Sequence, residues 1–189
     1  MYDAVADPYC YPGTTVLKNI PDIRNQAKLG AFEAAMTARR ADEPLPAGHL
    51  SVSHYCAIHH HLFQDVYLWA GRSRTMRLFK DESAFCYPEN IDREMQRLFA
   101  DLKRRRYLRD RPAGDFAAAG SSFVATLNAI HAFREGNGRL AKTIRGWRIA
   151  EHHCSQKRIG RRRVHNKILG TAGGAPIACV RTSIGHSRR

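Results

Sequence analysis

Between His131 and Lys142 the chain reads His-Ala-Phe-Arg-Glu-Gly-Asn-Gly-Arg-Leu-Ala-Lys, directly ahead of a segment with helical periodicity. No other stretch constrains the fold as much. One helix must deliver the histidine, the backbone must turn at the glycines, and a second helix must start at once. Gly136 and Gly138 permit positive φ and close approach of a ligand to the backbone. Successive N–H groups in such a turn form a concave nest for anions. A helix starting near Gly138 adds its unpaired N–H groups and its positive dipole end at the same point. Phosphate suits that site. Glu135, on the rim, is placed to hold a Mg²⁺ bridging two phosphate oxygens. Arg139, one turn into the helix, can pair with phosphate through its planar fork. His131 can accept a proton near neutral pH, as a general base must. Singly, each feature is an ordinary turn or surface histidine; their coincidence carries the reading.

Periodicity organises the rest of the chain. Tyr9 to Asn19, with its Pro12-Gly13 turn, reads as an arm docked on the domain. A helix is expected from Ile23 to Arg40, with Leu29, Phe32, Ala35 and Met36 on its apolar face. Ser51 is the expected N-cap of a second helix running to about Tyr67, with Tyr55, Ile58, Leu62, Phe63 and Val66 facing the core. Pro88 suits the first turn of a third helix. Its stripe is Ile91, Met95, Leu98, Phe99 and Leu102, and Lys103 to Arg106 suit its C-terminal end. Asp115 is expected to cap a fourth, which buries Phe116, Ala119, Phe123, Leu127 and Ile130 and leads to His131. Phe133 turns inward as the anchor of the loop. The following helix continues through Ile144, Trp147, Ile149 and Ala150.

Between Arg72 and Cys86 the helical period fails. Thr75 to Phe79 and Ala84 to Cys86 read as two short strands around a polar turn. The expected fold class is therefore all-α, a helical bundle with one small β-hairpin. That hairpin is either a plain surface feature or an edge that receives an extended peptide along Arg77, Leu78, Phe79 and Lys80. His59, His60 and His61 lie inside the second helix, where neighbouring side chains point about 100° apart and cannot converge on one metal. They read as structural or exposed.

Composition limits the alternatives. Hydrophobic residues at 43% and charged residues at 25% suit a single globular domain within 189 residues. The formal net charge of +14 suggests nucleic acid, but nine of those charges lie between Lys157 and Arg189, where no Asp or Glu occurs. The body keeps only +5, so direct nucleic-acid binding is not needed to explain the charge. A domain over residues 1–153 and a basic, poorly ordered tail over 154–189 are expected. No apolar run approaches the roughly 18 residues of a membrane span, and the N-terminus lacks the pattern of a secretory signal. Five scattered cysteines read as reduced thiols. A cytoplasmic protein is the expectation.

The stretch from His131 resembles the signature of the Fic family, His-x-Phe-x-(Asp/Glu)-Gly-Asn-Gly-Arg-x-x-Arg, matching it at seven of the nine positions up to Arg139. The arm and the segment from Leu62 to Gly71 are similar to those of short bacterial Fic toxins, so the resemblance spans roughly residues 9–153. It implies a Fic fold whose hairpin is the flap that registers a target hydroxyl. It also implies transfer of AMP from ATP to a Ser, Thr or Tyr hydroxyl of a protein. On that reading His131 deprotonates the hydroxyl and Glu135 positions Mg²⁺. Gly136, Asn137 and Gly138 hold the α- and β-phosphates, and Arg139 neutralises the leaving pyrophosphate. Lys142 stands where the family has an arginine that contacts the γ-phosphate, and lysine has no bidentate fork. Fic relatives also transfer UMP, phosphate or phosphocholine, so the donor stays open at this point. Two further alternatives are a degraded, inactive Fic remnant and a basic nucleic-acid-binding module. The family's inhibitory (Ser/Thr)-x-x-x-Glu-(Gly/Asn) pattern is not found. A separate antitoxin supplying that glutamate is thus the implied partner, and DNA gyrase or topoisomerase IV the implied target.

Overall fold

The computed structural model describes residues 7–80, 83–109 and 111–144. The expected helical positions Trp147, Ile149 and Ala150 and the basic tail 154–189 lie outside the described residues. Four helices, α1 (Gln26–Ala41), α2 (Val52–Phe63), α3 (Pro88–Arg104) and α4 (Ala113–Ile130), precede a fifth, α5, seen over residues 137–144. A hairpin of β1 (Phe79–Lys80) and β2 (Ser83–Ala84) interrupts them, with Phe79 opposite Ala84 and Lys80 opposite Ser83. Both strands are shorter than the sequence pattern suggests. The fold class is the expected one.

Local chemistry sets most boundaries. The α1 helix starts at Gln26, later than Ile23, because Asn19 folds the preceding residues into a turn. Its side chain accepts from the Ile23 N–H at 2.8 Å and donates to the Ile23 carbonyl at 2.7 Å. Asn25 then caps the helix by accepting from the Lys28 N–H. Ser51 caps α2 as expected, but the helix ends at Phe63, short of Tyr67; the expected core residues Tyr55, Ile58, Leu62 and Phe63 are buried in it, and Val66 is buried beyond its end. Pro88 opens α3, which buries Ile91, Met95, Phe99 and Leu102 and half-buries Leu98. The α4 helix departs from expectation at its start. Pro112 holds the N-cap position, so Asp115 sits inside the first turn, where its charge faces the helix dipole.

The largest difference lies on α1. Ala35 is exposed, and the buried stripe is Leu29, Glu33 and Thr37. Two of those three are polar, so this face meets something other than a hydrophobic core. The end of α1 is fastened to the end of α2 by Arg40, whose guanidinium grips both oxygens of Asp65 at 2.6 and 2.7 Å. The arm is docked. Cys10 and Leu17 form an antiparallel bridge, Asp7 pairs with Arg134 of the motif loop at 2.7 Å, and Tyr9 lies edge-on to Trp69. Among the described residues no helix is long and apolar enough to cross a membrane, and Cys10, Cys56 and Cys86 are free thiols.

The three consecutive histidines of α2, His59 to His61, divide their roles. His60 is exposed, and His61 bonds the Arg40 carbonyl. His59 has no exposed surface at all. Its Nδ1 accepts from the Gly71 N–H at 2.9 Å, so Nε2 carries the proton and donates to the Glu135 carbonyl at 3.0 Å. The ring is therefore neutral with a fixed tautomer, and burial pushes its pKa from 6.5 down to about 4.

That depression has a defined consequence. Between pH 6.5 and about 4 the unfolded chain binds a proton that the folded chain refuses. Stability therefore rises with pH across the window, at up to about 1.4 kcal/mol per unit for this group. Thermal unfolding should shift to lower temperature as the pH is taken from 6.5 toward 4. A His59→Gln protein should be less stable overall with a shallower slope; identical slopes would remove His59 as the cause.

Candidate active site

The site begins where α4 ends. His131 adopts the left-handed conformation, φ 52° and ψ 58°, while its N–H still bonds the Leu127 carbonyl. A non-glycine residue there carries a cost on the order of 1 kcal/mol, so something must hold it. Arg74 does. Only 2% exposed, its guanidinium donates to the carbonyl of His131 at 2.7 Å and to those of Met76, Cys86 and Ile130. Four carbonyl dipoles thereby compensate one buried charge. The Arg74 N–H bonds the Ala132 carbonyl and the Cys86 N–H bonds the Ala129 carbonyl. Both roots of the hairpin are thus stitched to the backbone that carries His131.

The imidazole of His131 is half-buried and lies 3.8 Å from the Phe85 ring in a stacked pair. Its Nδ1 sits 3.3 Å from the Asn128 carbonyl. With Nδ1–H as the donor, Nε2 is the basic nitrogen. Burial holds its pKa below 6.5, and the cations Arg74, Arg134 and Lys80 act in the same direction against the Asn128 hydrogen bond. The ring is neutral at pH 7, as a proton acceptor must be.

The following loop is built from inside. Phe133 is fully buried, stacked on His59 at 3.8 Å and on Tyr55 at 5.4 Å, which is the anchoring role expected of it. Asn137 was expected to face phosphate, yet its side chain is 2% exposed and turned inward. It accepts from the Phe133 N–H at 3.0 Å and donates to the Phe133 carbonyl at 2.8 Å. Only its backbone N–H can serve a ligand. Gly136 has φ +83°, and a Cβ there would lie 2.3 Å from the Phe63 ring. Glycine is obligatory at that position. Gly138 is different: α5 already begins at Asn137, so no positive φ is needed, and among the described residues a Cβ would meet nothing within 4 Å beyond its own chain neighbours and helix backbone. The two glycines answer separate demands.

Around this turn stand the charged groups. Glu135 is exposed, and one of its oxygens accepts from the Gly136 N–H at 2.8 Å. Among the described residues no three His, Cys, Asp or Glu side chains converge on a possible metal site. One outward carboxylate on the rim of an anion nest fits Mg²⁺ that takes its other ligands from phosphate and water. Arg139 lies in the first turn of α5, with a Nη1 contact of 2.5 Å to Glu33 and one of 3.4 Å to Thr37. Lys142, one turn later on the same face, is exposed. Across the site the hairpin presents Arg77, Leu78, Phe79 and Lys80; Phe79 is 63% exposed, and Arg77 lies over the Tyr87 ring.

Two residues that matter to this geometry have no place in the sequence reading, Arg74 and Glu33; for His59 the sequence leaves a structural or an exposed role open, and the structure gives the structural one. Glu33 carried a signal, since it interrupts the buried helical stripe of Leu29 and Thr37. Arg74 carried none, because its side chain bonds only backbone carbonyls, three of the four far along the chain, and the two hydrogen bonds of His59 likewise go to backbone groups of distant residues, Gly71 and Glu135.

Comparison with known proteins agrees with the geometry. The family model described as Fic/DOC matches residues 49–144. A protein of Sinorhizobium fredii named as a probable protein adenylyltransferase is 46% identical over 182 residues, 94% of this chain and 95% of its own length. The protein adenylyltransferase VbhT of Bartonella schoenbuchensis is 34% identical over 85% of this chain, though that match takes in only 34% of its own length. Among solved structures, the BepC protein of Bartonella tribocorum with bound AMPPNP is 27% identical, with a TM-score of 0.64 over 71% of this chain and 73% of that one. With the motif, its loop geometry and these similarities in agreement, the chain belongs to the Fic/DOC family.

Proposed function

We propose that this protein is an adenylyltransferase that moves AMP from ATP to a Ser, Thr or Tyr hydroxyl of a target protein. One observation carries the reading: a neutral histidine with a basic Nε2 stands beside a glycine turn that opens onto the N-terminus of α5. In the reaction His131 Nε2 takes the hydroxyl proton and the hydroxyl oxygen attacks the α-phosphorus. The bond to the bridging oxygen breaks, and pyrophosphate leaves with the electron pair. Backbone N–H groups at 137–139 face the phosphates with the positive end of the helix. Arg139 and Lys142 offset the charge that accumulates on the leaving group, so electrostatic preorganisation supplies most of the catalysis. Mg²⁺ on Glu135 would supply further neutralisation between two phosphates. The hairpin edge from Arg77 to Lys80 aligns the target segment by strand addition.

Finer readings rest on the resemblance alone. These are a toxin acting in the cytoplasm, DNA gyrase or topoisomerase IV as target, and a small antitoxin supplying an inhibitory glutamate. Lys142 favours a second reading, in which the same machinery uses another donor carrying UMP, phosphate or phosphocholine, because an ammonium grips a terminal phosphate less specifically than a guanidinium.

Label from α-labelled ATP should appear on protein in a bacterial lysate, with His131→Ala lowering it by about 10²–10⁴-fold. Label arriving only from the γ-position would make the protein a kinase and sink the proposal. The acid limb of kcat/KM, which reports the free enzyme, should have its midpoint below 6.5 because burial depresses His131. A midpoint above 6.5 would rule out the ring as described. Gly138→Ala should be more stable than wild type by about 0.5–1 kcal/mol, since alanine favours the helix, while binding ATP more weakly because its methyl enters the phosphate space. Gly136→Ala should fail to fold. If Gly138→Ala bound ATP normally, the phosphates would not sit over α5.

A further inference from the structure

We infer that Glu33 is a positioning residue for nucleotide transfer: it fixes the guanidinium of Arg139 so that the free edge faces the phosphates. The inference rests on the proposed role of Arg139 at the pyrophosphate. Glu33 projects from the middle of α1, a helix outside the motif, and only 8% of its side chain is exposed. A carboxylate so far removed from water needs partners for both oxygens. Arg139 Nη1 binds one at 2.5 Å, and the Tyr67 hydroxyl donates to the other. Burial and the neighbouring Glu33 both raise the Tyr67 pKa, so its proton stays in place as the donor. Thr37, one turn along α1, donates its hydroxyl to the Glu33 carbonyl and lies 3.4 Å from the same Arg139 nitrogen.

The asymmetry of the pair argues for position over simple stabilisation. The Glu33 side chain is 8% exposed, whereas that of Arg139 is 43% exposed. A pair that served only the core would bury both ends. Here the carboxylate is the fixed end, and every α1 contact falls on Nη1. Among the described residues no hydrogen bond takes up Nε or Nη2, and the guanidinium lies over the Phe63 ring that packs against Gly136. A flexible arginine would have to lose its rotamer freedom at each turnover; this one has lost it on folding. Glu33 does not fit the inhibitory pattern, since Leu29 stands four residues before it and Ala34 follows it.

The test measures AMP transfer together with binding of ATP, ADP and AMP, for wild type, Glu33→Gln, Arg139→Ala and the double variant. Glutamine keeps the volume and removes the charge. The expected result is a fall in kcat of about tenfold or more and weaker binding of ATP and ADP, with AMP binding unchanged. Glu33→Gln should add nothing further in the Arg139→Ala background. Tyr67→Phe, which leaves the Glu33–Arg139 pair intact but frees one carboxylate oxygen, should show a smaller loss of the same kind and serves if Glu33→Gln fails to fold. Activity of Glu33→Gln at or above the wild-type level would overturn the inference and make Glu33 a brake. Parallel loss of AMP binding would also overturn it, reducing Glu33 to a structural support. If Arg139→Ala itself left ATP and ADP binding unchanged, the role of Arg139 would fail first, and that outcome is read separately from any effect of Glu33.

Discussion

A neutral imidazole whose tautomer is dictated from both sides holds the two working segments together. The Gly71 N–H fixes His59 Nδ1 as an acceptor, which forces Nε2–H onto the carbonyl of Glu135. The first contact lies at the root of the hairpin and the second inside the motif loop. Phe133 and Phe63 enclose the ring by stacking at 3.8 and 4.7 Å, so water cannot compete for either bond and the cost of breaking one is the full desolvation of its partner. Arg74 does the same on the opposite side, joining Met76 and Cys86 to His131 through carbonyls alone. The hairpin and the histidine therefore cannot move independently. On the proposed reading, a hydroxyl aligned on the hairpin is aligned on His131 as well.

Within the motif the residues divide by direction. Phe133, Gly136 and Asn137 face inward and shape the turn, the last by closing both hydrogen bonds on Phe133. Glu135, Gly138, Arg139 and Lys142 are exposed and His131 is half-buried, and on the proposed reading these are the residues a nucleotide or target hydroxyl would meet. A short sequence signature of this kind describes a scaffold and a ligand site at once, and the spacing between its members is set by the scaffold. Asn137 shows how the two are confused: an amide beside two glycines looks like a phosphate ligand until its side chain is seen occupied from both ends.

What was legible in the sequence follows from how local each interaction is. The α2 and α3 helices, their core faces, the Ser51 cap and the inward Phe133 depend on spacing within a few turns, and all of them are present. The α1 boundary was missed because Asn19 competes for the backbone with its own side chain, which propensity does not register. The α4 cap was missed because a proline can take the N-cap position without offering a hydrogen bond. The hairpin is present but its strands are shorter than the pattern suggests: past the Phe85 N–H to Leu78 carbonyl bond, its roots are tied to Ala129 at the end of α4 and to Ala132 just beyond it. The candidate site residues are named by the motif, while Arg74, His59 and Glu33, which contact them or their backbone, are seen only in space.

On the proposed reading, Lys142 and Glu33 bear on the same problem, the grip on the polyphosphate. Residues 139 and 142 lie one turn apart on one face of α5, so their cationic groups address neighbouring phosphates. A guanidinium in the second position would fix the terminal phosphate through a planar fork; an ammonium supplies charge without direction. Orientation of the polyphosphate then falls more heavily on the first cation. In this chain that cation is anchored by a buried carboxylate and a threonine hydroxyl, and the carboxylate is itself held by a tyrosine hydroxyl; the motif contains none of these three side chains. On the proposed reading, a less directional grip on the end of the nucleotide is workable because the grip nearer the reacting phosphorus is rigid.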